Sequence, residues 1–190
     1  MAVSGEPSKH WCRKIRSMFR QWDVEAGLKG YVTEEDFKNR VGKTLERFPE
    51  LASSKDKLIE RAHHHWVEHC NLGVKMPPGY RLTEAQYIQN FWLFIHSPKF
   101  DQYLKEASQI IWDGLDKEKK GFLTKEEAHA HGIRVTNDKD HASRGIFETM
   151  DEKKSGRITF EDTIKAQRFF FTDQNDESHP FNHIRGPLVD

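Results

Sequence analysis

Asp116-Lys117-Glu118-Lys119-Lys120-Gly121-Phe122-Leu123-Thr124-Lys125-Glu126-Glu127 is the stretch whose reading decides the fold. It carries an acid at its first, third and twelfth places and a glycine at its sixth. Calcium is a hard cation that takes about six to eight oxygens, and Asp116, Glu118, the Phe122 carbonyl and Glu127 are donors of that kind at the right spacing. Lys120, at the fifth place, is the misfit, because an ammonium cannot coordinate a cation and repels it. The same stretch also announces a helix. In Thr124-x-x-Glu127 the Thr hydroxyl can accept from the backbone three residues on, while the Glu carboxylate reaches back to the Thr N–H. Gly121 permits the left-handed backbone that so tight a loop needs.

Working outward, the pattern of an aliphatic residue, a Thr and an acid or amide three residues later recurs. It stands at Val32-Thr33…Asp36, Leu82-Thr83…Gln86 and Ile158-Thr159…Asp162, with Gly30, Gly79 and Gly156 just ahead. Apolar residues at helical spacing precede each loop: Trp11, Ile15, Phe19 and Trp22; Leu58, Ala62, Trp66 and Cys70; Ile111, Trp112 and Leu115; Ile146, Phe147 and Met150. Others follow each loop, although the third exiting helix reads as short, reaching Gly132 within a couple of turns. The expected fold is all-α: four EF-hand-like helix–loop–helix units arranged as two pairs in one compact protein. The expected organisation is an N-terminal pair at 8–98, a C-terminal pair at 99–171 and a tail at 172–190 packing on the core.

The other loops are poorer in oxygen. The fourth, Asp151 to Asp162, offers Asp151, Ser155, the Arg157 carbonyl and Asp162, with Lys153 at its third place. Asp at the twelfth place chelates less easily than Glu, which favours weak binding or magnesium. The first loop is two residues longer than the others if Asp23 opens it; counted back from Val32 it opens at Glu25 with Lys29 fifth. The second loop, through Lys75, Pro77 and Gly79 to Gln86, has no carboxylate at any ligand position. Glu127 and Asp162 also serve their helix starts, so their presence has a purely structural explanation. The lysines suggest a further one, in which an ammonium neutralises the carboxylates without metal.

Lys+Arg and Asp+Glu both count 30, for a formal net charge of zero. That balance argues against nucleic acid or an anionic membrane as partner and against a high-capacity calcium buffer. The polar Met1–His10 stretch lacks the apolar core of a signal peptide, and the apolar cluster Phe91–Ile95 is too short to span a bilayer. Two cysteines, Cys12 and Cys70, make no framework, so free thiols and a cytoplasmic monomer are expected. His65-Trp66-Val67-Glu68-His69 matches a zinc-peptidase spacing, but in this setting it reads as a solvated histidine face. Gly42-Lys43-Thr44 lies inside an expected helix and makes no phosphate loop. The aromatic positions read first as core. A sharper reading makes Trp11, Trp22, His65, Trp66, Trp92, Trp112, Phe147, Phe170 and His183 the walls of a cavity for an apolar molecule.

The opening Trp11-Cys12-Arg13-Lys14-Ile15 through Phe19, Trp22 and Asp23 resembles the first helix of sarcoplasmic calcium-binding proteins. So does the ending Phe169-Phe170-Phe171 through His183-Ile184-Arg185-Gly186-Pro187-Leu188-Val189-Asp190. That family is related to the coelenterazine-binding proteins and the calcium-regulated photoproteins, which hold a luciferin between EF-hand pairs. The resemblance implies calcium buffering or hydrophobic-ligand binding, and the loop residues allow at most one or two weak calcium or magnesium sites, in the C-terminal half. The alternative to calcium buffering is calcium-independent binding of a small hydrophobic, luciferin-like molecule. A photoprotein-like oxygenase ranks last, since no nucleophile, redox metal or cofactor motif supports it.

Overall fold

All four threonines start helices for the anticipated reason. In this computed structural model, which describes residues 5–189, the backbone N–H of Thr33, Thr83, Thr124 and Thr159 donates to Asp36, Gln86, Glu127 and Asp162 at 2.8, 3.0, 2.8 and 2.7 Å. Each Thr hydroxyl in turn accepts from the backbone N–H of that acid or amide. The shorter Asp side chains of Asp36 and Asp162 close the box as fully as Gln86 and Glu127 do. Readings that rest on Met1 to Ser4 and on Asp190 lie outside the described residues.

The described residues form eight α-helices in order: α1 (Lys9–Ala26), α2 (Glu34–Arg47), α3 (Lys55–His64), α4 (Glu84–Ile95), α5 (Phe100–Leu115), α6 (Lys125–Thr136), α7 (Ile146–Met150) and α8 (Phe160–Thr172). Two-residue strands pair the loops. β1 (Tyr31–Val32) runs antiparallel to β2 (Leu82–Thr83), and β3 (Leu123–Thr124) to β4 (Arg157–Ile158). The aliphatic residue of each repeat, Val32, Leu82, Leu123 or Ile158, turns inward from its strand and is buried. The expected all-α architecture of four helix–loop–helix units in two pairs is therefore the one adopted. Gly42 to Thr44 lies within α2, as read from the sequence.

The chain divides into two units, one of Met18–Tyr103 and one of Ser8–Ser17 with residues 104–189. In the second unit the tail is tied to the start of α1. Trp11 Nε1 donates to the Phe171 carbonyl at 2.6 Å, Lys14 Nζ to the Asp173 carbonyl at 2.7 Å, and Val189 N to Ser17 Oγ at 2.8 Å. Lys14 is fully buried, and its ammonium stands 5.8 and 5.6 Å from the ring centres of Phe169 and Phe170. Burial in that apolar setting, only partly offset by Asp173, pushes the Lys14 ammonium down to about 8.

Two elements differ from the sequence reading. The third exiting helix does not stop at Gly132 but runs to Thr136, where Asn137 caps it in the left-handed conformation. Gly132 is there for close approach: a Cβ at that position would stand inside the ring of buried His141. The second entering helix changes register after His64, so that His65–Cys70 forms a π-helical turn. A π-turn rotates the side chains beyond it relative to an α-helix. His65 and His69 are thereby turned inward together with Trp66 and Cys70, and the expected solvated histidine face does not exist: His65 is 8% and His69 0% exposed.

Candidate functional site

In the third loop, Asp116 accepts from the backbone N–H groups of Lys120 and Gly121, both at 2.7 Å. The Lys120 ammonium reaches Glu127 Oε1 at 2.7 Å, while Glu127 Oε2 holds the helix start. The hydrogen bond to Glu127, and then the charges of Glu127, Glu118 and Asp116, raise the Lys120 ammonium above the usual lysine range, and Lys120 in turn holds the Glu127 carboxyl low. The first loop is built alike. Asp23 takes the opening place, accepting from Lys29 N at 2.8 Å and Gly30 N at 3.0 Å, and Lys29 Nζ lies 2.9 Å from each oxygen of Asp36. Of the two openings left by the sequence, Asp23 is therefore the one used, with two extra residues before Lys29, while Glu25 pairs with Arg40 and Arg47 instead. Burial pushes the Asp36 carboxyl up, but hydrogen bonds from Lys29 and Thr33 outweigh it and hold the group low.

The fourth loop differs at its fifth place. Ser155 Oγ stands 2.9 Å from Asp151 Oδ1 and 3.1 Å from the Arg157 carbonyl oxygen. Asp151 also accepts from the N–H groups of Ser155 and Gly156, which outweigh its burial and keep its carboxyl low. Calcium, the ion implied by this loop pattern, fits these donors unevenly. In the first and third loops an ammonium stands against the twelfth-place carboxylate, and in the second Gln86 is a cap to Thr83. The fourth loop alone brings a carboxylate, a hydroxyl and a carbonyl oxygen together. No group of three or more His, Cys, Asp or Glu side chains is placed to hold a metal ion among the described residues.

The inward-turned histidines of the first unit build a second constellation. Trp22 of α1 stacks on Phe37 of α2 at 4.3 Å, and Phe37 meets His65 at 5.2 Å and Trp66 at 5.6 Å. His65 lies 4.6 Å from His69, which stacks on Phe94 of α4 at 3.9 Å and meets the Tyr103 ring of α5 edge-on. Polar anchors cross this array: His65 Nδ1 and Tyr103 Oη are 2.8 Å apart, and Arg61 donates to the same Tyr103 oxygen at 3.3 Å. His69 is the exception. Fully enclosed, it has no hydrogen-bond partner at either ring nitrogen among the described residues. A buried polar atom left unpaired costs about 1–3 kcal/mol, so such a group calls for an explanation. Burial first, then the nearby His65, His64 and Arg61, holds the His69 imidazole well below its ordinary range and therefore neutral.

The nine aromatic and histidine positions expected to wall a cavity fall into both units. Trp22, His65 and Trp66 meet in the array just described, whereas Trp92 packs on His96 at 4.3 Å. In the second unit Trp112 and Phe147 share a core with Leu123 and Ile158. There Phe170 packs against Phe171 at 5.2 Å, Trp11 is tied to the tail, and burial lowers His183. The sequence reading missed His69, Tyr103 and Phe94. The i, i+4 pair His65/His69 was visible, but only the π-turn shows that it faces inward.

Against solved structures the chain is 68% identical to okadaic acid binding protein 2.1, over 98% of this chain and 100% of that one, with a TM-score of 0.95. The chain belongs to that protein's family. More distantly, it shares its fold with the coelenterazine-binding protein of Renilla muelleri in its calcium-loaded apo form. That chain is 19% identical over 94% of this chain and 96% of its own, with a TM-score of 0.62. It also shares the fold of an apoaequorin complex, 15% identical over 98% and 100%, with a TM-score of 0.69. The photoprotein and luciferin-binding relatives named by the resemblance are thus found as neighbours in fold. No protein-family model and no curated protein matches the chain. Among the described residues no helix is long and apolar enough to cross a membrane.

Proposed function

We propose that this member of the okadaic acid binding protein 2.1 family binds a small hydrophobic acid, okadaic acid or a molecule like it, without needing calcium. The observation that carries this reading is His69, a fully enclosed imidazole in a nest of aromatic rings with neither nitrogen hydrogen-bonded among the described residues. A neutral imidazole can accept a hydrogen bond from a carboxylic acid or a hydroxyl, or donate one to its oxygen, while the rings of Trp22, Phe37, Trp66 and Phe94 take the apolar body. The identity of 68% over essentially the whole of both chains supports the same ligand class.

Titration of tryptophan fluorescence with okadaic acid tests it, run once in chelator and once in millimolar calcium. Saturable quenching with the same midpoint in both is expected. His69→Phe keeps the ring packing and removes both nitrogens, so it should weaken binding about tenfold or more while leaving stability unchanged or raised. Absence of saturable quenching by the wild-type chain at micromolar ligand would sink the proposal.

A second reading, the sarcoplasmic type of weak cation binding, is favoured by one feature only. In the fourth loop Asp151, Ser155 Oγ and the Arg157 carbonyl oxygen stand together with Asp162 closing the helix start. Calorimetry with calcium and magnesium would reveal it as millimolar-range heat lost in Asp151→Asn.

A further inference from the structure

The first and third loops carry a Lys-Gly-aromatic tripeptide in the same place: Lys29-Gly30-Tyr31 and Lys120-Gly121-Phe122. In each, the ammonium meets the carboxylate that begins the exiting helix, at 2.9 Å from both oxygens of Asp36 and at 2.7 Å from Glu127. In each, the ammonium also stands over the aromatic ring two residues on, 5.1 Å from the centre of Tyr31 and 5.5 Å from that of Phe122. The paired loop then lays a guanidinium on the same ring: Arg81 on Tyr31 at 4.6 Å and Arg157 on Phe122 at 4.2 Å. Positive charge therefore collects where a calcium loop gathers negative charge around its ion. The same construction occurs in both units.

We propose that Lys29 and Lys120 are built-in cations, each ammonium standing in for a divalent ion so that its loop stays closed without metal. The two contacts on Asp36 reproduce the bidentate grip that a calcium loop's last ligand gives its ion. In the third loop, Asp116, Glu118 and Glu127 all act on the one ammonium, as three carboxylates would on a metal. It follows that the third loop stands one side chain away from a cation site. Lys120→Asn would supply the missing fifth-place oxygen and leave Asp116, Glu118, the Phe122 carbonyl and Glu127 in place.

Thermal unfolding of the full chain, wild type against Lys120→Asn, in chelator and in millimolar calcium chloride, tests this. Any response of the fourth loop is common to both proteins and cancels. Lys120→Asn should melt below the wild type in chelator and gain about 5 °C more than the wild type from calcium. Equal melting of the two in chelator, or no extra gain from calcium, overturns the proposal. So does a calcium response in the wild type that Lys120→Asn abolishes. If the variant is unfolded in chelator, calcium must restore its far-ultraviolet circular dichroism, and failure to do so also counts against the idea. Okadaic acid is absent from all arms, so the outcome is independent of the ligand reading.

Discussion

The third and fourth loops share a unit, a strand pair and the same start to the exiting helix, yet they handle charge differently. At the fifth place one brings Lys120 to Glu127; the other brings Ser155 to Asp151. Both keep the same frame: an opening Asp gathers the loop's N–H groups, a glycine (Gly121 at φ 78°, Gly156 at φ 74°) turns left-handed, and a Thr starts the helix. What forms the loop is therefore backbone-to-carboxylate hydrogen bonding and capping. The fifth-place side chain decides what neutralises the acids, and in the third loop Lys120 adds its hold on Glu127 to that frame.

That division of labour can be broken most forcefully at the opening acids. Asp116→Ala leaves two loop N–H groups without their charged acceptor and should cost about 2–3 kcal/mol by urea unfolding. Asp151→Ala should also destabilise, since Asp151 holds the Ser155 hydroxyl as well. A third loop indifferent to losing Asp116 would mean that the ammonium holds it alone, with nothing added by the frame.

Acid offers a second lever, because the loops and the histidine array respond in different ranges. His69 has its proton affinity depressed by folding, so the unfolded chain binds the proton more readily. Stability is thus full above about pH 6.5 and is lost as pH falls below it, with a slope approaching 1.4 kcal/mol per pH unit at most. Asp36 and Glu127 are also held low, but as carboxyl groups they withdraw their contribution only as pH drops below about 4. Urea midpoints between pH 7 and 5 should fall in the wild type and less steeply in His69→Phe, where buried His141 and His183 still lose stability over the same range. The mildest change is Ser155→Lys, which gives the fourth loop the fifth-place residue of the third. It should alter stability by about 0.5 kcal/mol or less and abolish any calcium or magnesium heat.

The repeats of Thr with an acid or amide three residues on were enough to read four helix starts, their pairing and the all-α fold, because capping is local chemistry. Lys120 at a ligand position was legible for the same reason. Lys29 was not, since two extra residues hid which acid opens its loop, and only the backbone shows Asp23 and Lys29 acting together. The histidine array was misread because a helix that shifts to π-turn geometry leaves no mark in apolar spacing. Leu58, Ala62, Trp66 and Cys70 fit a continuous helix as well as the real one. Gly132 misled in the opposite way: it looks like a helix end, and instead makes room for the ring of His141, which lies nine residues on.

The tie between Trp11 and the Phe171 carbonyl spans 160 residues of chain. During synthesis the first half of α1 leaves the ribosome long before its acceptor at Phe171 exists, and Asp173 and Val189 complete its ties later still. Of the eight described α-helices, the first in the chain is thus among the latest to be finished. Its buried indole and ammonium must stay shielded from other chains until Phe171 and Asp173 arrive.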